Sequence, residues 1–304
     1  MKKSLGLSIV VVTYNSEDLI IDCIDSIYKT CKKNTFEIVI VDNSPNDKTQ
    51  DVVEKVKSQY KNLQFIKTCD NLGFSKANNV GIKKTSGEYL LFLNPDMKVY
   101  EKTLDGMADF MRKTPDAGAA TCFVKLINGE PDDASHRGFP TPWRSLSYFS
   151  GLAKIFPKSK LFAGYNLTYL DFSKVHEIDA LAGSFMIVPR NIGEKLKWWD
   201  EDFFFYGEDI DFCYRIKSLG YKIYFVPEFK ALHYKGVSSG IKKASQGITK
   251  ASKETKINIT NHRFNAMKIF YRKHYVKKYP RFLTSLVFFG IDFKWKIAQF
   301  QNKT

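Results

Sequence analysis

Four short polar segments in the N-terminal third of the chain each follow a run of apolar, strand-forming residues. They are Thr13-Tyr14-Asn15, Asp42-Asn43-Ser44, Asn71-Leu72-Gly73-Phe74 and Asn94-Pro95-Asp96. Ligands of open α/β sheets bind at the carboxyl ends of the strands, so these segments are expected to converge on one edge of a sheet. Each segment alone is also what a turn requires, because Asp, Asn and Gly are turn formers. The four segments together predict a binding site.

A second candidate for chemistry is the acidic segment Glu208-Asp209-Ile210-Asp211. A carboxylate in a cleft can act as a general base that takes a proton from a hydroxyl group. On a helix, Asp209 shares a face with the apolar residues three, four and seven positions later, whereas Asp211 can pair with Arg215 four residues on. Asp209 is therefore the predicted base, although the helix macrodipole alone also favours acids at a helix N-terminus.

The segments that must position these residues alternate between strand and helix. The predicted strands are Leu7–Thr13, Phe36–Val41, Leu63–Lys67, Tyr89–Leu93, Phe185–Val188 and Lys222–Val226. The predicted helices are Asp18–Thr30, Asp47–Gln59, Phe74–Lys84 and Gly207–Leu219. Because the strands are almost wholly apolar and alternate with helices, they indicate an α/β fold with a mostly parallel sheet covered by helices on both faces.

Two segments differ from this alternation. Residues 128–175 are rich in Gly, Pro and aromatic residues, and they predict a loop-rich stretch of the kind that forms a lid or a binding loop. Residues 238–252 are rich in Ser, Gly and Lys and are predicted to be mobile, and from about Glu254 the chain is predicted to be helical and basic. We therefore expect one α/β domain over residues 1–235 and a C-terminal extension over residues 236–304.

Composition excludes several classes of protein. With 304 residues and 44% hydrophobic residues, the chain is globular rather than disordered. Its five cysteines form no CxxC pair, which argues against a zinc site or a disulfide framework and fits a reducing compartment. The chain has neither a GxGxxG motif after the first strand nor a P-loop, which argues against NAD and P-loop nucleotide sites. No secretory signal is visible, and no apolar run reaches the ~20 residues needed to span a bilayer.

Taken in order, the motifs resemble those of the family 2 glycosyltransferases of the GT-A fold, and among them the bacterial rhamnosyltransferase-like branch. Besides the segments above, the resemblance rests on Ala182-Gly183-Ser184-Phe185-Met186, Phe204-Phe205-Tyr206-Gly207 and Leu232-His233. The motifs extend over about residues 7–235. The resemblance implies that residues 1–235 form a GT-A catalytic domain. It also implies an inverting enzyme that moves a sugar from a nucleotide-diphosphate donor to a hydroxyl acceptor.

The resemblance also implies roles for individual residues. Asp42 would hydrogen-bond the nucleobase, Asp96 and His233 would bind a divalent cation, Mg²⁺ or Mn²⁺, and Asp209 would be the catalytic base. The implied donor site consists of Thr13, Tyr14, Asn15, Asp42, Asn71, Gly73, Asn78, Asn94 and Asp96. Trp199, Tyr206 and Glu208 lie in or near the acidic segment and are the predicted acceptor contacts, with ordinary core packing as the alternative for the tryptophan.

A cation is chemically reasonable at Asp96, because a leaving nucleoside diphosphate develops negative charge that a Lewis acid stabilises. Hard cations prefer carboxylate ligands, and Mg²⁺ often takes only one or two of them besides phosphate oxygens. The wider fold carries Asp-x-Asp here, but Asn94 stands in place of the first acid. A neutral amide is a poorer ligand, so the sequence leaves strict metal dependence open.

The net charge of +15 predicts attraction to polyanions, or simply a solvated lysine-rich surface. Residues 263–281 interleave Lys and Arg with aromatic residues, and residues 282–293 are apolar but too short to span a bilayer. Such a tail suits an anionic membrane surface, and a helix packed on the domain or a homo-oligomer contact is the alternative. We expect a cytoplasmic enzyme at the inner face of the cell membrane that binds no nucleic acid.

The expected donor is a dTDP- or UDP-sugar, with dTDP-rhamnose suggested by the resemblance. The expected acceptor is a growing bacterial surface glycan or a lipid-linked precursor of cell-wall polysaccharide. Two other functions stay open at this point. One is a nucleotidyltransferase, although the chain lacks a glycine- and basic-rich phosphate loop after its first strand. The other is a non-catalytic module that binds nucleic acid or membrane.

Overall fold

The computed structural model describes residues 6–234 and 253–303 of the chain. The predicted mobile segment 238–252 lies outside these residues. The strands are β1 Leu7–Thr13, β2 Phe36–Asp42, β3 Leu63–Lys67, β4 Tyr89–Leu93, β5 Met97–Val99, β6 Ala117–Leu126, β7 His176–Ile178, β8 Phe185–Pro189 and β9 Lys222–His233. The helices are α1 Ile20–Thr30, α2 Lys48–Val56, α3 Gly73–Ile82, α4 Thr103–Lys113, α5 Pro142–Phe149, α6 Leu152–Ile155, α7 Arg190–Lys195, α8 Glu208–Ser218, α9 Lys253–His274 and α10 Arg281–Lys303.

The strands form one sheet in the order β3-β2-β1-β4-β8-β6-β9-β5, and β7 also pairs with β9. The strands β1 to β4 pair in parallel, as do β6 and β9. The strands β5, β7 and β8 run antiparallel to their neighbours. The predicted mostly parallel sheet is therefore confirmed. Of its three reversed strands, β8 was predicted as a strand without its direction, and β5 and β7 were not predicted.

The register of the sheet brings several strand ends to one edge, which we call the carboxyl edge. Thr13 pairs with Asp42 across β1 and β2, and Asp42 pairs with Lys67 across β2 and β3. At the other side of the sheet, Leu126 of β6 pairs with His233 of β9. The parallel pairing thus places residues that are far apart in sequence beside one another.

Helices cover both faces of the sheet because the strands are apolar on both sides. On one face, alternate residues such as Ile9 and Val11 pack in a core with α1 and α4. On the other face, Val10 and Phe92 pack in a core with residues of α3, α7 and α8. The predicted two-sided coverage is confirmed.

The stretch 128–175, predicted as loop-rich, contains two short helices. Thr141 caps α5 by accepting a hydrogen bond from the backbone N–H of Arg144, and Pro142 occupies the first turn, where a missing N–H costs nothing. The strand predicted to end at Val226 extends to His233 as β9, past an irregularity in its pairing with β6. This extension carries His233 to the carboxyl edge.

A buried carboxylate ties the start of β2 to α4. Asp105 accepts hydrogen bonds from the backbone N–H groups of Lys32, Lys33 and Asn34 at 2.8, 3.1 and 3.0 Å, and from the Asn34 side chain at 2.7 Å. Burial raises the pKa of Asp105, but these hydrogen bonds outweigh it and hold the pKa below its ordinary value. The ionised carboxylate therefore stabilises this junction.

The C-terminal helices pack as an antiparallel pair on the α/β domain. Phe270, Tyr271 and Tyr275 of α9 and the segment after it form a core with Phe203. His274 Nε2 lies 2.7 Å from Asp211 Oδ1 of α8. Among the helices in the described ranges, none is long and apolar enough to cross a bilayer.

Candidate active site

Asp42 holds the ends of β1 and β2 together. The side chain is fully buried, and both carboxylate oxygens accept hydrogen bonds from within the protein. Oδ1 accepts from Thr13 Oγ1 at 2.8 Å and from the Ser44 hydroxyl, and Oδ2 accepts from Lys67 Nζ at 2.9 Å. Lys67 was not among the predicted site residues. A ligand at this edge would meet loops whose positions Asp42 determines.

Tyr14 and Asn15 form the accessible part of the same corner. Tyr14 is 41% exposed, and Asn15 is exposed with a left-handed backbone at φ 48°. The backbone N–H of Asn15 donates to Ser44 Oγ at 2.7 Å, which fixes the turn. Of the predicted nucleotide contacts in this corner, these two are the ones that a ligand can reach directly.

The loop between β3 and α3 contacts the loop that precedes α8. Asn71 Oδ1 accepts from the Gly73 N–H at 3.0 Å, and Asn43 Nδ2 donates to the Gly73 carbonyl at 3.1 Å. The N–H of Phe74 donates to the Phe204 carbonyl at 2.8 Å. Gly73 has φ +74°, and a Cβ on it would lie 2.4 Å from that carbonyl oxygen, so only glycine fits.

Two predicted site residues lie in the interior. Asn78 is 1% exposed, and its Nδ2 donates to the Phe74 carbonyl at 2.9 Å within α3. Trp199 is 2% exposed and packs edge-on against Phe74 and Phe92 and at a tilt against Phe212. The indole is thus part of the core, and the acceptor contact predicted for it has no exposed surface. The reason is that tertiary packing closes over this ring, which the sequence could not show.

The segment after β4 meets the end of β9 at the carboxyl edge. Asn94 donates its N–H to the Ser184 carbonyl at 3.0 Å, which joins β4 to the start of β8. Asp96 Oδ1 lies 3.3 Å from His233 Nε2, and both side chains are largely buried. The other ring nitrogen, His233 Nδ1, lies 2.8 Å from Oδ2 of the fully buried Asp132. The structure therefore brings together Asp96 and His233, which were predicted as a pair of ligands.

Asp132 was not among the residues predicted from the sequence. Its backbone N–H bonds to the Val124 carbonyl of β6, so the residue lies just beyond that strand, next to β9. A signal was present, since the apolar run Ala117–Val124 ahead of it has the composition of a strand. Burial lowers the pKa of His233, but the charges of Asp96 and Asp132 outweigh burial and raise it to about 9.

The pair Asp96 and His233 has the donor chemistry and spacing of two ligands to one cation. Adjacent ligands of an octahedral Mg²⁺ lie about 3 Å apart, since each is about 2.1 Å from the ion. In metal sites, a carboxylate usually accepts a hydrogen bond from the ring nitrogen of a histidine that does not bind the metal, and this contact orients the other ring nitrogen toward the metal. Asp132 lies in that position relative to His233 Nδ1. Within residues 6–234 and 253–303, no group of three or more His, Cys, Asp or Glu side chains is arranged to hold a metal ion.

Asp209, the predicted base, forms an ion pair with Arg137. Arg137 Nη2 donates to Asp209 Oδ2 at 2.7 Å, and the Ile210 N–H donates to Oδ1 at 2.7 Å. Both charged side chains are mostly buried, with exposed fractions of 13% and 14%. The guanidinium also donates to the Leu181 carbonyl at 3.2 Å. Arg137 was not predicted, because it lies 72 residues from Asp209 in a stretch without periodicity.

The three acids at the start of α8 have three different environments. Glu208 is buried, and desolvation together with the charge of Asp209 raises its pKa well above its ordinary value. Its Oε2 atom has no hydrogen-bond partner among the described residues. Asp211 accepts from Arg215 Nε at 2.7 Å, which confirms the predicted i+4 pair, and it also contacts His274 of α9. Only Asp209 of the three has a partly accessible carboxylate.

Aromatic residues precede α8 on a strained loop. Tyr206 has φ +71° and Gly207 has φ +81°, so two successive residues are left-handed. The Tyr206 ring lies 4.3 Å from that of Phe205. Phe204 is 38% exposed and stacks on His262 of α9 with ring centroids 4.5 Å apart. The C-terminal helices thus contribute to this side of the site.

The three predicted regions are linked by two contacts and a short segment of chain. The loop before α3 contacts the loop that leads to Asp209, where the Phe74 N–H bonds to the Phe204 carbonyl. Asp209 pairs with Arg137, which lies five residues after Asp132 in the sequence, and Asp132 contacts His233.

A cavity of about 480 Å³ lies elsewhere on the molecule. Arg190, Glu194, Thr85 and Trp198 are among the residues that line it. Arg190 follows β8, which runs antiparallel to β4, so this cavity lies at the opposite edge of the sheet. The cavity therefore does not coincide with Asp96 and Asp209, which we take as the better indication of where an active site lies.

Two family models match the chain. The model described as "Glycosyl transferase family 2" matches residues 8–178, more than half of the chain, and includes all four polar segments after the strands. The model described as "Glycosyl transferase family group 2" matches residues 135–296 and includes the acidic segment at the start of α8.

Curated relatives and a solved structure are similar over most of the chain. Rhamnosyltransferase WbbL of Escherichia coli K12 is 26% identical over 74% of this chain and 82% of its own length. An N-acetylglucosaminyl-diphospho-decaprenol L-rhamnosyltransferase of Mycobacterium tuberculosis H37Rv is 25% identical over 79% of each chain. The crystal structure of GalNAc-T7 with UDP, GalNAc and Mn²⁺ aligns with a TM-score of 0.62 at 18% identity, over 89% of this chain and 50% of that one. This structural likeness shows the GT-A fold.

Proposed function

The chain belongs to glycosyl transferase family 2, and we propose that it is an inverting enzyme that transfers a sugar from a nucleotide-diphosphate donor to a hydroxyl acceptor. The observation that carries this proposal is that two carboxylates along one sheet edge each contact a basic side chain. Asp96 contacts His233, and Asp209 contacts Arg137. The first pair suits a leaving diphosphate, and the second suits an incoming hydroxyl. We further propose that residues 1–235 carry the catalysis and residues 236–304 form the extension.

The donor is proposed to bind at the corner formed by the ends of β1 and β2 and the loop before α3. Tyr14, Asn15 and Asn71 are exposed polar residues there, and Asp42 fixes the ends of β1 and β2. Gly73 lets the loop before α3 pack directly against Phe204, because a Cβ at this position would lie 2.4 Å from the Phe204 carbonyl oxygen. This contact fixes the position of the loop that borders the proposed donor corner.

We propose that Asp96 and His233 hold Mg²⁺ or Mn²⁺. A divalent cation bound there would act as a Lewis acid on the leaving diphosphate oxygens. Asp132 keeps the His233 ring oriented, so that Nε2 faces Asp96. Asn94 supplies no carboxylate, so the remaining ligands are proposed to come from the diphosphate and water.

Asp209 is proposed to take the acceptor proton. The acceptor oxygen attacks the anomeric carbon, the bond from that carbon to the diphosphate oxygen breaks, and the hydroxyl proton passes to the Asp209 carboxylate. Arg137 holds this carboxylate in a fixed orientation through the contact at 2.7 Å. The neighbouring Glu208 is buried, and desolvation together with the charge of Asp209 raises the pKa of Glu208.

The donor sugar is proposed to be rhamnose, carried by dTDP, and the acceptor a lipid-linked glycan. The support is that two relatives are a rhamnosyltransferase and an N-acetylglucosaminyl-diphospho-decaprenol L-rhamnosyltransferase. No specific contact in the structure favours the nucleotidyltransferase alternative.

The test combines a thermal-shift panel of nucleotide sugars, with and without Mg²⁺, with an assay for nucleoside diphosphate release. The true donor should raise the melting temperature by mass action. Asp209→Asn should keep that shift but lose about 100-fold or more in turnover, whereas Asp109→Asn, an exposed acid on α4, should behave as wild type. Near-normal turnover of Asp209→Asn would exclude it as the base. If no nucleotide sugar raised the melting temperature, the proposed donor site would be wrong.

A further inference from the structure

Large apolar side chains form a stripe along the outer face of α10. Their spacing of four, three, four and four residues places them on one side of a helix. They are Phe282 (70% exposed), Leu286 (61%), Phe289 (70%), Phe293 (57%) and Ile297 (43%). On the other side of the helix, Val287 and Phe288 pack against the core formed with α9. The stripe is therefore not needed to hold α10 in place.

A second set of exposed apolar side chains lies on α5, α6 and the turns that follow. They are Trp143 (43% exposed), Leu146 (58%), Phe149 (40%), Ile155 (67%), Phe156 (47%) and Leu161 (59%). Lys294 of α10 places its ammonium 4.6 Å from the centre of the Phe149 ring. Because that contact joins α10 to α5, the two sets are neighbours, and together we call them the apolar surface.

The charge around the apolar surface is almost wholly positive. Residues 134–170 contain no Asp or Glu, but they contain five Lys and Arg. On α10 the one acid, Asp292, is neutralised by an ion pair with Lys268. Lys294 and Lys296 lie exposed on α10 beside the stripe, and Lys154 is exposed on α6. An exposed apolar area with a cationic border is typical of elements that lie in the interface of an anionic bilayer.

We propose that the apolar surface docks on an anionic lipid bilayer, with α10 lying parallel to the membrane plane. The apolar side chains would enter the boundary between head groups and acyl chains, and the lysines would contact the lipid phosphates. Charge decides between this occupant and a second copy of the chain. Self-association through this face would bring two cationic borders together, whereas anionic lipid neutralises both the border and part of the net charge of +15.

Docking would also orient the candidate active site relative to the membrane. This consequence rests on the proposed function, whereas the docking itself does not. The segment that leads into α5 carries Arg137, the partner of Asp209. Arg144 on α5 pairs with Asp179 at 2.6 Å, and the Asp179 N–H bonds to the Arg137 carbonyl at 3.1 Å. The side of the site that holds the proposed base therefore lies close to the proposed membrane face, where a lipid-linked acceptor would arrive.

The test is co-sedimentation of the full chain with vesicles of phosphatidylcholine alone or of phosphatidylcholine with phosphatidylglycerol. The wild type should partition to the phosphatidylglycerol vesicles. The double variant Phe289→Ser/Phe293→Ser should lose about tenfold or more in partitioning, because two exposed rings no longer enter the bilayer. The matched control is Ile127→Ser/Leu219→Ser, which replaces two exposed apolar residues on other elements and should bind as wild type.

Trp143 gives a second readout that does not depend on a stable variant. Its indole is 43% exposed in the apolar surface, so brominated lipid should quench its fluorescence, and Trp143→Phe should remove most of that quenching. The proposal is overturned if the wild type binds phosphatidylglycerol vesicles no better than neutral ones, or if the Phe289/Phe293 variant and the control bind equally. It is also overturned if light scattering shows a dimer that only the Phe289/Phe293 variant disrupts, with no vesicle binding. Sugar transfer to a soluble acceptor, measured in parallel, keeps failure of docking distinct from failure of the proposed chemistry.

Discussion

The contact between Gly73 and Phe204 should couple donor binding to the loop that carries the proposed base. We predict that Gly73→Ala damages both stability and turnover. Alanine at φ +74° costs about 1–2 kcal/mol because L residues are strained in the left-handed region. The new Cβ would also lie 2.4 Å from the Phe204 carbonyl oxygen and 2.8 Å from its ring. Relief of that overlap costs about 1–3 kcal/mol, and the loss of the Phe74 to Phe204 hydrogen bond costs about 1 kcal/mol.

Gly151→Ala is the matched control for this change. Gly151 has a φ of +86°, close to that of Gly73, but a Cβ added to Gly151 would have no neighbouring atom within 4 Å. The control should therefore lose about 1–2 kcal/mol of unfolding free energy, against about 3–6 kcal/mol for Gly73→Ala. Urea unfolding curves with a common slope measure both values.

Turnover should separate the two variants further. A displacement of about 1 Å at the loop before α8 is enough to reduce turnover about 100-fold, because the acceptor, the base and the donor must be aligned. Gly151→Ala should retain near-normal diphosphate release. If both variants lost the same free energy of unfolding, the close contact between Gly73 and Phe204 would carry no energetic weight, and the coupling argument would be refuted.

Three further predictions concern single side chains. Arg137→Met should lower the free energy of unfolding by about 3–5 kcal/mol, because it leaves the Asp209 carboxylate buried without its partner. Urea titrations measure this value, and equal stability of variant and wild type would contradict the prediction. Asp132→Asn should weaken Mn²⁺ binding about 10–100-fold in a titration followed by calorimetry, because His233 loses the carboxylate that orients it, and unchanged affinity would argue against the proposed metal site. The pKa of Asp105 is lowered in the folded protein, so its ionised carboxylate stabilises the fold above the unfolded pKa of about 3.9, and this stabilisation is lost as the pH falls through the lower folded value. The urea midpoint should therefore drop more between about pH 6 and about pH 3 for the wild type than for Asp105→Asn.

Local patterns were sufficient to predict much of the fold. Apolar runs fixed the strands β1 to β4 because a strand buried on both faces must be apolar along its length. The polar residues after those strands, such as Thr13 and Asp42, lie side by side because parallel pairing brings the strand ends together. The pairing of Asp96 with His233 was predicted from the family resemblance alone, and the structure brings the two residues together.

Other site residues depended on the tertiary structure. Asp132 meets His233 across 101 residues, and Arg137 meets Asp209 across 72 residues. The apolar run before Asp132 marks only the strand that precedes it, and Arg137 is one polar residue in a stretch without periodicity, so no local pattern indicates which residue either one contacts. The burial of Trp199 has the same origin, because an aromatic residue near a site reads identically whether it packs inward or faces a ligand.

The sequence by itself therefore determined the alternation of strands and helices from β1 to β4, the residues at the carboxyl ends of those strands and the acidic start of α8. It did so because these features follow from periodicity and turn chemistry over a few residues. Only the tertiary structure decided that Asp209 pairs with Arg137 and Asp132 with His233, that the Trp199 ring is covered, and that α5 and α10 are neighbours with exposed apolar side chains. Those outcomes depend on contacts between residues far apart in sequence, whose energies are set by burial and geometry that no short segment contains.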